Sequence, residues 1–317
     1  MNISYGVPQG SILGPLLFSL YINDLPDAVT KCKVILYADD TALIYSNKNK
    51  TIIEKTLNQD MANVKLWLDS NKLTLNVKKT KCMLIGNSQM LARTDSLDLK
   101  VDGDKIEQVK EFKYLGVWID QTMKFSTHIN KIASKISSAI GIISKISHYL
   151  TEKHRKTLYN AMILPHFNYC SISWSTTDNK YLDILEKLQK RAGRMILMVP
   201  KLTRTKEVYS TLKWTDLKTK WKINRCIMVH KCLNNNIPDY LHGHFQITNH
   251  GYSTRAAKTN KLVNPLFRTV QGQRTFKFTG SRDFNSLPHI ISSIIDHKSF
   301  KRDTKHHFLT NYQSTLQ

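Results

Sequence analysis

The chain has 317 residues, 41% of them hydrophobic, with 47 Lys and Arg against 24 Asp and Glu for a formal net charge of +23. That length allows two domains, each able to bury a core. Five scattered cysteines, an odd number, argue against a disulfide framework, and no apolar run reaches the roughly 20 residues of a membrane-crossing helix, so an intracellular globular protein is expected.

The charge is unevenly placed. Residues 1–120 hold 15 Lys and Arg against 14 Asp and Glu, a net of +1; residues 121–317 hold 32 against 10, a net of +22. So one-sided a field suits a polyanion. Without a Trp-edged apolar helix face to enter a bilayer, the expected partner is nucleic acid rather than a membrane. Charge alone does not separate DNA from RNA.

In chain order, the Gly/Pro-rich opening YGVPQGSILGP leads into a helix with Pro15 in its first turn and Leu16, Leu17, Leu20 and Tyr21 at helical spacing, ended by Pro26. VILYADDTALIY then predicts a hairpin, Val34 to Ala38 and Thr41 to Tyr45, with Asp39 and Asp40 at its tip. An acid between apolar strands needs a cation, a set of hydrogen bonds or an exposed turn, and an exposed turn is the plainest of the three. Residues 51–71 predict a helix with Ile53, Leu57, Met61, Val64 and Leu68 on one face. Strands follow around KCMLIG, around the Asp102-Gly103 turn of LKVDGDKI, and in EFKYLGVWID, bent at Gly116. This order predicts an α+β layer, an antiparallel sheet with helices on one face.

From about Lys124 the period becomes helical. Phe125, Ile129, Ile132, Ile136, Ile140 and Ile143 form an apolar stripe, with His128, Lys131, Lys135, Ser138 and Lys145 on another face. Helices are predicted at 151–164, 180–199 and about 216–235. In the second of these Leu182, Leu185, Leu188 and Ala192 face a core, while Lys187, Lys190, Arg191 and Arg194 form a basic stripe that is either a solvated face or a phosphate-contacting one. A polar, weakly periodic stretch over 243–279 precedes amphipathic segments near 280–313. CIMVHKC with His242 and His244 offers Cys226, His230 and Cys232 as zinc ligands, but the spacing fits no common site and reads equally as an amphipathic helix.

YGVPQGSILGPLLFSLYINDL followed by LYADDTALIY resembles the palm of reverse transcriptases, specifically those of non-LTR retrotransposons of the jockey and CR1 type. LTLNVKKTKCMLIG, with Asn76, Lys79 and Thr80, is similar to the motif that follows, FKYLGVWID to the segment that grips the primer, and FNSLP with SFKRDTKHHF to the tail beyond the thumb. The resemblance implies an incomplete palm over 1–120, a helical thumb over 121–200 and a basic C-terminal helical region over 201–317. It also implies a metal-dependent nucleotidyl transfer with Mg²⁺ or Mn²⁺, acting on an RNA template and a DNA primer in the nucleus or cytoplasm. Asp39 would then be the direct metal ligand and Asp40 a supporting one. Gln9, Gly10 and Lys79 would lie at the nucleotide or template. Ala38, Tyr114, Leu115 and Gly116 would position the primer, and Lys131, Lys135, Lys187, Lys190, Arg191 and Arg194 would track the duplex backbone.

The family pattern also calls for an aspartate on a strand well before the Pro-Gln-Gly loop. Met1 lies only a few residues before Gly6; Asp24 belongs to a helix end and Asp120 is expected to cap a turn. The expectation is therefore a polymerase fragment that does not polymerise by itself. The alternatives are a non-catalytic nucleic-acid-binding protein descended from such a polymerase and a relic without function.

Overall fold

The computed structural model describes residues 10–234, 237–238, 241, 243–248 and 261–316. The chain divides into two compact units, Met1–Lys113 with Asp120–Thr122, and Tyr114–Ile119 with Met123–Gln317.

In the first unit α1 (Gly14–Tyr21) carries Pro15 in its first turn, where a missing N–H costs nothing, and none of its residues is buried. A 3₁₀ turn, Leu25–Ala28, leads to the hairpin of β1 (Lys33–Tyr37) and β2 (Asp40–Ile44). Next comes α2 (Lys50–Ser70), started by Asn49, whose side chain accepts the Thr51 N–H. Short elements follow: β3 (Lys81–Cys82), α3 (Ser88–Arg93), β4 (Lys100–Val101), β5 (Asp104–Lys105) and β6 (Glu107–Gln108). Asp102 and Gly103, both at positive φ, make the predicted two-residue turn between β4 and β5. Ile53, Leu57 and Met61 of α2 pack on Leu97, Leu99, Val101 and Ile106, so the predicted apolar face closes a small core.

The mixed α+β composition is as expected, but a single sheet is not what forms. Among the described residues the strands make four separate two-stranded pieces, β1-β2, β3-β6, β4-β5 and β7 (Glu111–Tyr114) with β8 (Val117–Asp120). The β3-β6 pair is parallel. Beyond α2 the strands are two to four residues long, too short to template a third neighbour.

The second unit is helical. It runs through α4 (Ser126–Ile146), α5 (Glu152–Met162), α6 (Leu164–Asn168), α7 (Ser171–Trp174), α8 (Asn179–Leu197), α9 (Thr205–Leu212) and α10 (Leu217–Leu233), then α11 (Val270–Gln273), α12 (Phe276–Asn285), α13 (His289–Ser292) and α14 (His297–Leu316). Every member of the predicted α4 stripe is buried, in one core with Leu182, Leu185 and Ala192 of α8 and with Trp174 and Trp221. A second core gathers Cys226 and Val229 of α10 around Phe284 and Phe300.

His128 departs from expectation. It is 3% exposed, edge-on to Trp174 at 5.5 Å, with Nδ1 3.5 Å from the Trp118 N–H. The apolar face of α4 is one residue wider than a simple stripe, and burial, helped by the Lys135 charge, lowers the imidazole pKa to about 4. The polar stretch ends sooner than predicted: Ile247 bridges to Leu262, and helix resumes at Val270.

Candidate active site

The closing pair of the hairpin is Tyr37 with Asp40, so the loop holds only Ala38 and Asp39. Ala38 sits at φ +50° and Asp39 does not have positive φ. A positive φ at the first loop position twists the chain to match its strands, a place that glycine favours; an alanine there carries about 1 kcal/mol of backbone strain. The turn separates the two acids: Asp39 stands in the loop and Asp40 opens β2, on the same face as Ile35 and Tyr37. Both acids are exposed. Their environment is thus the exposed turn, with carboxylates free to meet a ligand, beside a hairpin face on which Tyr37 is 64% and Ile44 50% exposed.

What aims this hairpin is a residue that the motif reading passes over. Asp60, on the inner side of α2, has no exposed surface. Its Oδ1 accepts the Thr30 N–H at 3.0 Å and the Thr30 hydroxyl at 2.7 Å, and its Oδ2 the N–H groups of Lys31 at 3.0 Å and Cys32 at 2.7 Å. Burial alone would raise its pKa, but these hydrogen bonds outweigh it and hold the carboxyl well below the usual carboxylate range. The chain entering β1 is thereby clamped to α2. The signal was present: Asp60 falls between Leu57 and Val64 on the apolar face, where a charge must have partners.

The other acids considered are engaged elsewhere. Asp24 Oδ2 accepts from Trp67 Nε1 at 3.3 Å, and Asp120 Oδ1 accepts the Thr122 N–H at 2.9 Å and its hydroxyl at 2.6 Å, the turn cap expected of it. The oxygen donors of Asp39 and Asp40 suit a hard divalent cation in kind. In number they fall short: among the described residues no group of three potential metal ligands occurs.

Of the remaining candidates, Gln9 lies outside the described residues. Gly10 is exposed at φ +88°, with open space where a Cβ would stand, so glycine serves the backbone conformation there. Lys79 is exposed on a turn in which Asn76 Oδ1 accepts the Lys79 N–H at 3.1 Å and the Asn76 carbonyl accepts the Thr80 hydroxyl at 2.9 Å.

Tyr114, Leu115 and Gly116 belong to the second unit. Leu115 and Gly116 have φ of +44° and +84°, a two-residue turn between β7 and β8. The Tyr169 hydroxyl donates to the Leu115 carbonyl at 2.6 Å, and a Cβ on Gly116 would press on the same ring at 3.2 Å.

The basic candidates divide. Lys131, Lys135, Lys187 and Arg191 are exposed, the Lys131 ammonium lying 3.2 Å from the centre of the Trp118 ring and Arg191 Nη1 3.4 Å from Ser137 Oγ. Lys190 is half-buried. Arg194 is half-buried too, donating from Nε at 3.0 Å and Nη2 at 2.8 Å to the Thr203 carbonyl, which fastens the loop after α8. The zinc reading of CIMVHKC gains no geometry. Cys226 is fully buried, and burial, with Asp283 nearby, pushes its thiol up to about 12. His230 stacks on Phe300 at 4.0 Å, its Nε2 2.8 Å from the Ile294 carbonyl oxygen; His242 lies outside the described residues.

Residues 2–119 match the family model described as Reverse transcriptase (RNA-dependent DNA polymerase). The resemblance carried by the Pro-Gln-Gly loop and the YADD turn is therefore real, and the chain's relatives are RNA-directed DNA polymerases of non-LTR retrotransposons. Among them is the RNA-directed DNA polymerase from mobile element jockey of Drosophila melanogaster, 26% identical over 229 residues, 69% of this chain and 24% of that protein. The probable RNA-directed DNA polymerase from transposon X-element of the same fly is 23% identical over 220 residues, 67% of this chain and 24% of its own length. A Pol polyprotein from the type-1 retrotransposable element R1 of Nasonia vitripennis is 25% identical over 242 residues, 70% and 68% of the two chains. The chain thus spans about a quarter of the jockey and X-element polymerases. No solved structure matches.

Proposed function

We propose that this chain supplies the acidic-hairpin and basic-helix part of an RNA-directed DNA polymerase that extends a DNA primer on an RNA template. The observation that carries this reading is the exposed Asp39-Asp40 tip, set on a two-residue loop within the segment that matches the reverse transcriptase model. Asp39 and Asp40 would hold a divalent cation, Mg²⁺ or Mn²⁺, which when bound supplies positive charge to the reacting phosphate and primer hydroxyl. Around that centre Ala38 leaves room for the primer end and Lys79 offers a cation to the triphosphate. Gln9 and Gly10 lie against the nucleotide or template, while Tyr114, Leu115 and Gly116 present backbone to the primer. Lys131, Lys135, Lys187 and Arg191 take phosphates of the duplex without reading sequence, and Lys190 and Arg194 support that face.

Two carboxylates leave such a centre one donor short, so a further acidic side chain has to join them. The 317 residues alone are expected not to extend a primer. Primer extension with magnesium tests this, comparing the chain with a version carrying at its N-terminus the jockey polymerase region that precedes the matched segment, each with and without Asp39→Asn. Extension by the longer version only, abolished by the substitution, supports the reading. Extension by the 317 residues alone refutes the missing-donor argument.

The net charge of +22 over residues 121–317 favours one second reading, a nucleic-acid-binding protein without catalysis. It predicts salt-sensitive binding that Asp39→Ala leaves unchanged and no extension by either version.

A further inference from the structure

Within the second unit, the turn after α7 together with α8, α10, α11 and α12 lines a cleft of about 350 Å³. Lys218, Arg225, Arg274 and Arg282 line it, and no carboxylate does. Acids just outside the lining pair with three of the four, Asp283 buried and Asp178 and Asp183 partly exposed. Arg225 Nε donates to Asp283 at 2.6 Å and its Nη1 to Ser175 Oγ at 3.0 Å, a buried pair that fixes α10 to α12 and the end of α7. Arg274 pairs with Asp178 at the start of α8, while the Thr176 hydroxyl donates to the Arg274 carbonyl at 2.7 Å. Lys218 reaches Asp183 at 3.5 Å with both side chains about half exposed.

The scaffold is therefore rigid, and the cationic groups at its mouth are held loosely. Arg282 makes only a long approach of 3.7 Å to Asp283 Oδ1, its side chain 61% exposed and its guanidinium 5.9 Å from the Phe278 ring. A guanidinium presents five N–H donors in a planar fork, of which Arg274 and Arg225 commit only part to their acids. Asn179 of α8 adds an amide to the lining, as does Gln273 of α11, whose Nε2 also donates to the Phe267 carbonyl at 3.2 Å.

We propose that this cleft binds a phosphate of a nucleic-acid strand. Several Arg and Lys side chains converging with amide donors, and no acid on the lining, fit a phosphate diester better than a neutral ligand. The surrounding net charge draws polyanions toward it. That the strand is nucleic acid rests on the polymerase reading; the anion site rests on the lining alone, and strand binding is measured without extension, so either can fail separately.

The test is anisotropy of a labelled single-stranded RNA, titrated with the full chain at salt from about 50 to 200 mM. Lys218 and Arg282 are exposed, so the double variant Lys218→Ala/Arg282→Ala should fold. Removing the contacts to that one phosphate lowers the magnitude of the salt slope by about 0.7 and weakens binding several-fold at low salt. The control Lys153→Ala/Lys156→Ala on exposed positions of α5 changes the charge equally and is expected to leave the slope in place. Equal weakening by both variants overturns the proposal, because the attraction is then diffuse. If the first variant misfolds, Trp221 on the cleft wall gives a second measurement in the unaltered chain. A fluorescence change with inorganic phosphate that RNA competes away supports the site, whereas no change, or one that RNA does not displace, overturns it.

Discussion

Asp60 shows how one buried carboxylate can set the position of a site it does not touch. Four donors converge on it, three of them backbone N–H groups just ahead of β1. Asp60→Ala leaves those donors unsatisfied beside an apolar helix face and is expected to cost about 3 kcal/mol, read as faster hydrogen exchange of the Thr30–Cys32 amides. The pH dependence has a definite sign. Because the folded pKa is depressed, the contribution is fully present above the unfolded carboxylate value of about 4 and is lost as pH falls toward the folded one. First-unit stability should therefore rise with pH below about 4, and Asp60→Asn should flatten that rise.

The same carboxylate acts on its neighbour. Burial, with the hydrogen bond and charge of Asp60, pushes the Cys32 thiol up to about 12. Cys32 should stay protonated and slow toward thiol reagents at pH 8, while the exposed Cys170 is labelled first; Asp60→Asn should speed Cys32 by removing the charge. Mass spectrometry of partly labelled protein reads both rates.

At the level of elements, two contacts decide how the helical unit packs. Arg155 on α5 is 7% exposed, donating from Nε to the Ile196 carbonyl at 2.6 Å and from Nη1 to the carbonyls of Ser147, at 3.1 Å, and Leu150. These carbonyls sit at helix ends, where a cation offsets the dipole. Arg155→Met should cost about 3 kcal/mol, seen as a lower urea midpoint at constant slope. On α8, Gly193 lies against α9, and a Cβ there would meet a methyl of Val208 at 2.8 Å. Alanine gains about 1 kcal/mol of helix propensity, but a buried β-branched valine cannot swing aside, and overpacking costs 1–3 kcal/mol or so. Gly193→Ala is expected to destabilise slightly.

These elements also show what the sequence disclosed. The stripes of α2, α4 and α8 and the turns at Asp39 and Asp102 were legible because each is a local pattern of period or φ. For Asp60 only the need for partners was legible, from its place on the apolar face, and for Arg155 nothing was, since the partners lie 28 to 30 and 5 to 41 residues away. The sheet misled for a related reason: alternation identifies a strand but not its neighbour, and β3 pairs with β6 across α3 and the β4-β5 turn. Within the basic stripe, spacing placed Arg194 beside Arg191 and could not foresee the loop carbonyl that takes it inward.

Along the whole chain, a nearly neutral first part, residues 1–120, is followed by a strongly basic second one. If the exposed Lys131, Lys135, Lys187 and Arg191 each take one duplex phosphate, the logarithm of affinity should fall with that of salt at a slope of about −3.6. That is about a 100-fold loss between 50 and 200 mM. Replacing all four by alanine should remove most of that slope, while Asp39→Ala leaves it alone.

The hairpin that carries the acids has a further consequence. With β1 and β2 bonded only to each other among the described residues, each leaves a row of backbone N–H and C=O groups open along its outer side, beside the exposed Ile35, Tyr37 and Ile44. Such edges recruit strands from neighbouring molecules. Concentrated protein should therefore self-associate through this ribbon, and Ile35→Lys, which sets a charge on its apolar face, should keep it monomeric in sedimentation.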